Sequence, residues 1–305
     1  MVLARMRLIL IWIVFASTTN PGLAEDLKKA DEAKTKKAKE TPIWMQYLEA
    51  SLPEYELLSP KSPKQKFSLT EKPLLVHTDP IEGEEQGLLY LWKDTDGRPV
   101  AAITGILMRF SPGDASWDEL HEYHSLWHEP IRMQRNRSVV WQPSEPGVKW
   151  KEFRVDLKET KSSRMRQLQV NKVARRFKSK VDYRDRGEWN LRLITKPIYN
   201  YTYQNEDEDK LKQTVSGSVF AFCRSTDPEV LLMLESRTTK AGEKQWYWAS
   251  VCFAGESSFL SLDGKEVWAE QPRFGSNIKH GSHFKIRTFN YVEALKRKQD
   301  IASKQ

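Results

Sequence analysis

At 305 residues the chain can bury a sizeable core, and its length suits two domains or one domain of two similar halves. Two cysteines exclude the framework of a small disulfide-rich scaffold, and a formal net charge of +8 favours anionic partners. Eleven tryptophans are the one departure from ordinary composition.

Residues 1–24 have the layout of a secretory signal peptide: Arg5 and Arg7, the apolar run 8–16 (LILIWIVFA), then Gly22, Leu23 and Ala24 before Glu25. That run is far shorter than the roughly 20 residues that cross a bilayer, and no later stretch is long and apolar enough to do so. The mature chain is therefore expected to be exported and to lack a stable transmembrane segment. Loss of Arg5 and Arg7 lowers the net charge from +8 to +6. In that compartment anionic envelope components or a polysaccharide are better partners than nucleic acid.

Residues 25–40 are almost all Lys, Glu, Asp and Ala, the composition of a charged spacer. Trp44, Met45, Leu48 and Leu52 then recur at helical spacing, and the repeated Ser-Pro-Lys of 59–64 reads as a linker that closes the segment 25–72. A first β-rich segment spans 73–143. Its core is GLLYLWKDTDGRPVAAITGILMR at 87–109, two apolar runs about an Asp-Gly turn. Leu88, Tyr90 and Trp92 alternate with Leu89 and Leu91, so these strands need cover on both faces.

A connector, 144–188, carries Val170, Val173, Ala174 and Phe177 as a helical stripe, with Arg164, Lys172, Arg175 and Lys178 around it. The second β-rich segment, 189–272, repeats the layout of the first: GSVFAFCRSTDPEVLLMLESR at 217–237 sets Gly217 against Gly87 and Phe222 against Trp92. An acidic loop at 205–210 and a basic tail at 273–305, with a helix expected at 291–298, complete the chain.

Three groupings are candidates for chemistry. On a helix, His121, His124 and His128 would share a face and hold a metal, with Glu122 as a base; on a strand they part. Trp246 and Trp248, on one strand face, would stack on sugar rings if exposed. Cys223 and Cys252 would form a disulfide if their strands met, but a strand between them sets them roughly 9–10 Å apart, beyond its span. His280 and His283 make only a loop pair, and no motif calls for a cofactor.

Several phrases, among them Asp79-Pro80-Ile81, Asp96-Gly97-Arg98-Pro99, Glu122-Tyr123-His124-Ser125-Leu126, Trp141-Gln142-Pro143 and Thr226-Asp227-Pro228-Glu229, resemble a family of predicted secreted proteins from planctomycete bacteria that has no established activity. The resemblance spans about 73–268 and implies export, with no catalytic residues to carry over.

These readings predict an α+β fold of two tandem similar halves. Each would be an antiparallel sheet of four or five strands, with amphipathic helices near 42–52 and 162–178 covering the sheet faces. The expected function is an exported, non-enzymatic binding or structural protein of the bacterial envelope or periplasm. The alternatives are a metal-dependent hydrolase using His121, His124 and His128, and a carbohydrate-binding module using Trp246 and Trp248.

Overall fold

The computed structural model describes residues 42–62, 65, 67–79, 84–109, 118–155, 162–183, 186–206, 212–238, 243–271 and 283–288. The expected signal peptide, the charged spacer, most of the acidic loop, His280 and the tail helix lie outside these residues. The described strands belong to one compact unit, Ile43–Gln305.

Two long antiparallel hairpins form the frame. In the first, β4 (Glu84–Lys93) pairs with β5 (Pro99–Arg109), and Leu89 faces Thr104 across the ladder. Asp94 closes its turn: Oδ1 accepts from the backbone N–H of Asp96 and Arg98, and Gly97 supplies the positive φ of 82° that the turn requires. In the second, β13 (Lys212–Arg224) pairs with β14 (Asp227–Thr238), and each hairpin carries a bulge one residue after its large aromatic, at Trp92/Lys93 and at Phe222/Cys223.

The first hairpin anchors a six-stranded sheet. β6 (Asp118–Ser125) flanks β5, β18 (His283–Thr288) flanks β6, and β2 (Ser68–Leu69) and β3 (Leu75–Asp79) share the free side of β4. The second anchors a nine-stranded sheet. On one side lie β15 (Lys244–Cys252) and the short edge strand β9 (Lys151–Phe153). On the other lie β11 (Gly187–Leu193), β12 (Tyr199–Glu206), β10 (Phe177–Tyr183), β16 (Ser257–Leu262) and β17 (Lys265–Glu270). A three-stranded sheet of β1 (Tyr55–Leu58), β7 (Arg132–Arg135) and β8 (Ser138–Trp141) completes the set.

Three apolar layers hold the sheets together. The middle one joins the two large sheets face to face: Leu89, Leu91 and Ala102 from the six-stranded sheet meet Val219, Ala221, Leu231, Met233, Ala249 and Val251 from the nine-stranded one. On the far side of the six-stranded sheet, Leu88, Tyr90, Trp92 and Ile103 pack under Tyr55, Leu57, Met133 and Trp141 of the small sheet and under Leu48 of α1 (Ile43–Ser51). On the far side of the nine-stranded sheet, Phe220, Phe222, Leu232 and Trp248 pack against Phe177, Val181 and Leu260, which belong to β10 and β16 of the same sheet. That sheet therefore curls until one end covers the other.

The architecture corrects the expected α+β fold. The described chain is mostly strand, its large sheets have six and nine strands rather than four or five, and its two α-helices are short. The doubly apolar strands do need cover on both faces, but strands supply most of it. α1 has nine residues, and α2 (Ser163–Ala174) has twelve and buries only its last turn, Val173 and Ala174. Once a sheet curls over itself and meets a second sheet, little apolar face remains for helices.

Candidate functional site

The three histidines that would share a metal on a helix do not converge. β6 is a strand and ends at Ser125, so His121 and His124 project from opposite faces and His128 lies beyond it. His121 sits under the small sheet, where Nδ1 is 2.7 Å from the Tyr55 hydroxyl and Nε2 is 2.8 Å from Glu119 Oε1. Tyr47 of α1 donates to the other oxygen of Glu119 at 2.7 Å, and Arg135 donates to the Tyr55 hydroxyl. His121 thus belongs to a polar chain that ties α1, β1, β6 and β7 together. His124 faces the nine-stranded sheet, with Nδ1 3.0 Å from the Ser125 carbonyl and its ring edge-on to Phe253. His128 lies against Trp127 with part of its ring open to solvent, and partial burial, then the neighbouring Arg98 guanidinium, hold its pKa below the usual imidazole range.

The two tryptophans that would stack on a sugar if exposed are core residues. Trp246 is 8% and Trp248 3% exposed, because the curl of the sheet brings Phe177 onto Trp248 and edge strand β9 brings Phe153 against Trp246. Both cysteines are free, and β14 lies between the strands that carry them. Cys223 faces the layer between the large sheets, whereas Cys252 faces the outer layer, 3.0 Å from Ser258 Oγ. Burial pushes both thiols up to about 12.

Polar chemistry gathers instead where the two large sheets meet. His77 lies opposite Gly87 in the β3–β4 ladder, and its ring occupies the space above that glycine: a Cβ on Gly87 would stand 2.2 Å from His77 Nε2. Nε2 is 3.1 Å from Thr104 Oγ1 on β5. Nδ1 points away from the six-stranded sheet, 3.2 Å from Asp227 Oδ1 at the start of β14 and 3.8 Å from Glu85 Oε1 on β4. It makes no hydrogen bond there, and His77 is 1% exposed. One ligand atom from each of His77, Glu85 and Asp227 lies within 4.8 Å of the others, a grouping able to hold a metal ion.

The surroundings are acidic. Burial and the charges of Glu229, Glu85 and Glu122 raise the Asp227 carboxyl well above the usual range, while Arg224 opposes them. Burial lowers the His77 imidazole to about 4 despite the charge of Glu122. Arg224 is committed to Glu229, whose Oε1 lies 3.6 Å from Nε and also accepts from the Tyr183 hydroxyl at 3.0 Å. Beside the cluster, Thr226 Oγ1 accepts from Thr78 N–H and donates to Thr78 C=O, so the turn of one sheet is bonded to a strand of the other.

Sequence reasoning missed this cluster because its members read as unrelated pieces: a strand end, an acidic loop and a hairpin turn. The β3–β4 register joins His77 to Glu85, and only the stacking of the sheets brings Asp227 to them. The local signal is Gly87, a glycine inside a strand, which marks close approach by another group. A site so enclosed suits holding an ion or a proton better than turning over a substrate. Comparison with known proteins supplies no relative: no family model, no curated protein and no solved structure matches the chain.

Proposed function

We propose that this chain is an exported, non-enzymatic binding protein of the bacterial envelope that docks on an anionic lipid surface through α2. The observation that carries this reading is the exposure of that helix. Arg164, Arg166, Lys172 and Arg175 are exposed together with Met165, at 48%, and Leu168, at 54%, two of the most exposed large apolar side chains among the described residues. Val173 and Ala174 bury the last turn, and Ser162 caps the first by accepting from Met165 N–H at 3.4 Å.

A helix this short is marginal in water unless something packs on it, and the sheet packs on one end only. A headgroup layer offers what the exposed turns lack: phosphates for the guanidinium and ammonium groups, worth about 1 kcal/mol each near a charged surface, and an acyl boundary for Met165 and Leu168. Export, which the pattern of residues 1–24 supports, brings the helix to such a surface. No helix among the described residues is long and apolar enough to cross a membrane.

The test is sedimentation with vesicles. Phosphatidylglycerol-containing vesicles should carry the protein down, neutral phosphatidylcholine vesicles should not, and binding should weaken as salt screens the charges. The Met165→Glu, Leu168→Glu double variant should keep its unfolding midpoint and lose binding. Failure of wild type to sediment with anionic vesicles at low salt, or sedimentation with an insoluble polysaccharide instead, would refute the lipid reading.

A further inference from the structure

We propose that His77, Glu85 and Asp227 form a site for one divalent transition-metal cation that clamps the two large sheets together. Three independent features of the structure lead there.

The first is geometry. Two ligand atoms about 2.1 Å from a tetrahedral cation lie about 3.4 Å apart. The distances from His77 Nδ1 to Asp227 Oδ1 and to Glu85 Oε1, 3.2 and 3.8 Å, fall on either side of that value. All three ligand atoms lie within 4.8 Å of one another.

The second is the direction of the imidazole. In the tautomer that donates Nε2–H to Thr104 Oγ1, the lone pair of Nδ1 points at two carboxylates, deep in the protein and without a hydrogen bond. A lone pair facing carboxylate oxygens is repelled unless a proton or a cation stands between them. An outer hydrogen bond on one ring nitrogen, holding the other toward an ion, is the usual support of a metal-bound histidine. Gly87 leaves the space in which the ring adopts that orientation.

The third is charge. Two carboxylates, Glu85 and Asp227, stand within 3.8 Å of one imidazole nitrogen, and Glu229 lies close by on β14 beside Arg224. The guanidinium sits against Glu229. A dication standing between the imidazole nitrogen and the two carboxylates would offset their charge. One nitrogen and two carboxylate oxygens favour zinc, manganese or ferrous iron over calcium or magnesium, which prefer oxygen alone.

The ligands come from β3 and β4 of one sheet and β14 of the other, so the ion would be a cross-link rather than a reaction centre. The inference does not depend on membrane docking. The experiment uses the full chain, stripped with chelator and dialysed. Zinc titrated calorimetrically should bind at roughly one equivalent per chain, and cobalt should give the visible absorption of a low-symmetry site. Asp227→Asn and Glu85→Gln should each weaken zinc binding at least tenfold, Thr104→Val should weaken it about tenfold at unchanged stoichiometry, and His128→Ala should leave it unchanged. A folded wild-type chain that binds neither zinc nor cobalt overturns the proposal, as does zinc affinity unchanged in Asp227→Asn or Glu85→Gln. If either variant fails to fold, the other variant and the wild-type cobalt spectrum decide.

Discussion

Single residues set how closely the strands approach. Gly87 lies beneath the His77 ring, and Gly217, at the corresponding place in the second hairpin, lies beneath Tyr201: a Cβ there would stand 2.1 Å from Tyr201 Cζ. Tyr201 cannot move aside freely, since its hydroxyl donates to Glu235 Oε1 at 2.9 Å and Arg237 holds the other oxygen of that buried carboxylate at 2.7 Å. Gly217→Ala should therefore cost about 1–3 kcal/mol in urea unfolding. Gly255→Ala, where nothing lies within 4 Å, should cost little. Tyr201→Phe should cost about 1.5–3 kcal/mol by removing a donor from a buried charge. The thiols carry a pH dependence. Cys223 and Cys252 hold their protons to about pH 12 in the folded chain, against an ordinary value of 9.0. Above pH 9 the unfolded chain loses these protons and the native chain keeps them, so their contribution to stability is full below pH 9 and is lost between 9 and 12. Urea midpoints measured across that range should fall, and Ellman's reagent at pH 8 should find no thiol in the native chain and both after denaturation.

At the scale of elements, β15 separates the structural from the ligand-binding reading of its tryptophans. Trp248 packs on Phe177 with the Lys151 ammonium 5.1 Å from its ring. Trp248→Ala should destabilise by about 3–5 kcal/mol, the cost of emptying a core site. A stacking residue would lose binding with little change in the unfolding midpoint. The long hairpins were legible in the sequence because each signal is local: continuous apolar runs on either side of Asp94-Thr95-Asp96-Gly97, or of Ser225-Thr226-Asp227. For 121–125 the sequence allowed a helix or a strand, and the strand formed. What covers each strand was not legible. β9 joins the edge of β15, and β18 joins β6, across separations that no local period reports. A helical stripe at 170–177 looks the same whether a helix lies along a sheet or, as α2 does, touches it by one turn.

The described residues of the unit Ile43–Gln305 form a stack of apolar layers in which the middle layer belongs to both large sheets. Tyr199 of one sheet donates to the Gly97 carbonyl of the other at 2.7 Å, and the Arg98 guanidinium lies between the Trp127 and Tyr203 rings, 4.6 and 4.7 Å from their centroids. Separating the sheets would expose Leu89, Leu91, Val219, Leu231 and Met233 together with the acids beside His77. Each sheet keeps an apolar layer on its far face, but neither layer covers the side chains that the middle layer would lose, so the account predicts a single cooperative unit. The metal cluster stayed hidden from sequence for the same reason: its ligands become neighbours only when the layers close. Hydrogen exchange followed by mass spectrometry across a urea series tests this most directly. Peptides from β5 and from β14 should lose protection at one shared midpoint, whereas opening of the six-stranded sheet at lower urea, with β14 still protected, would contradict a common core.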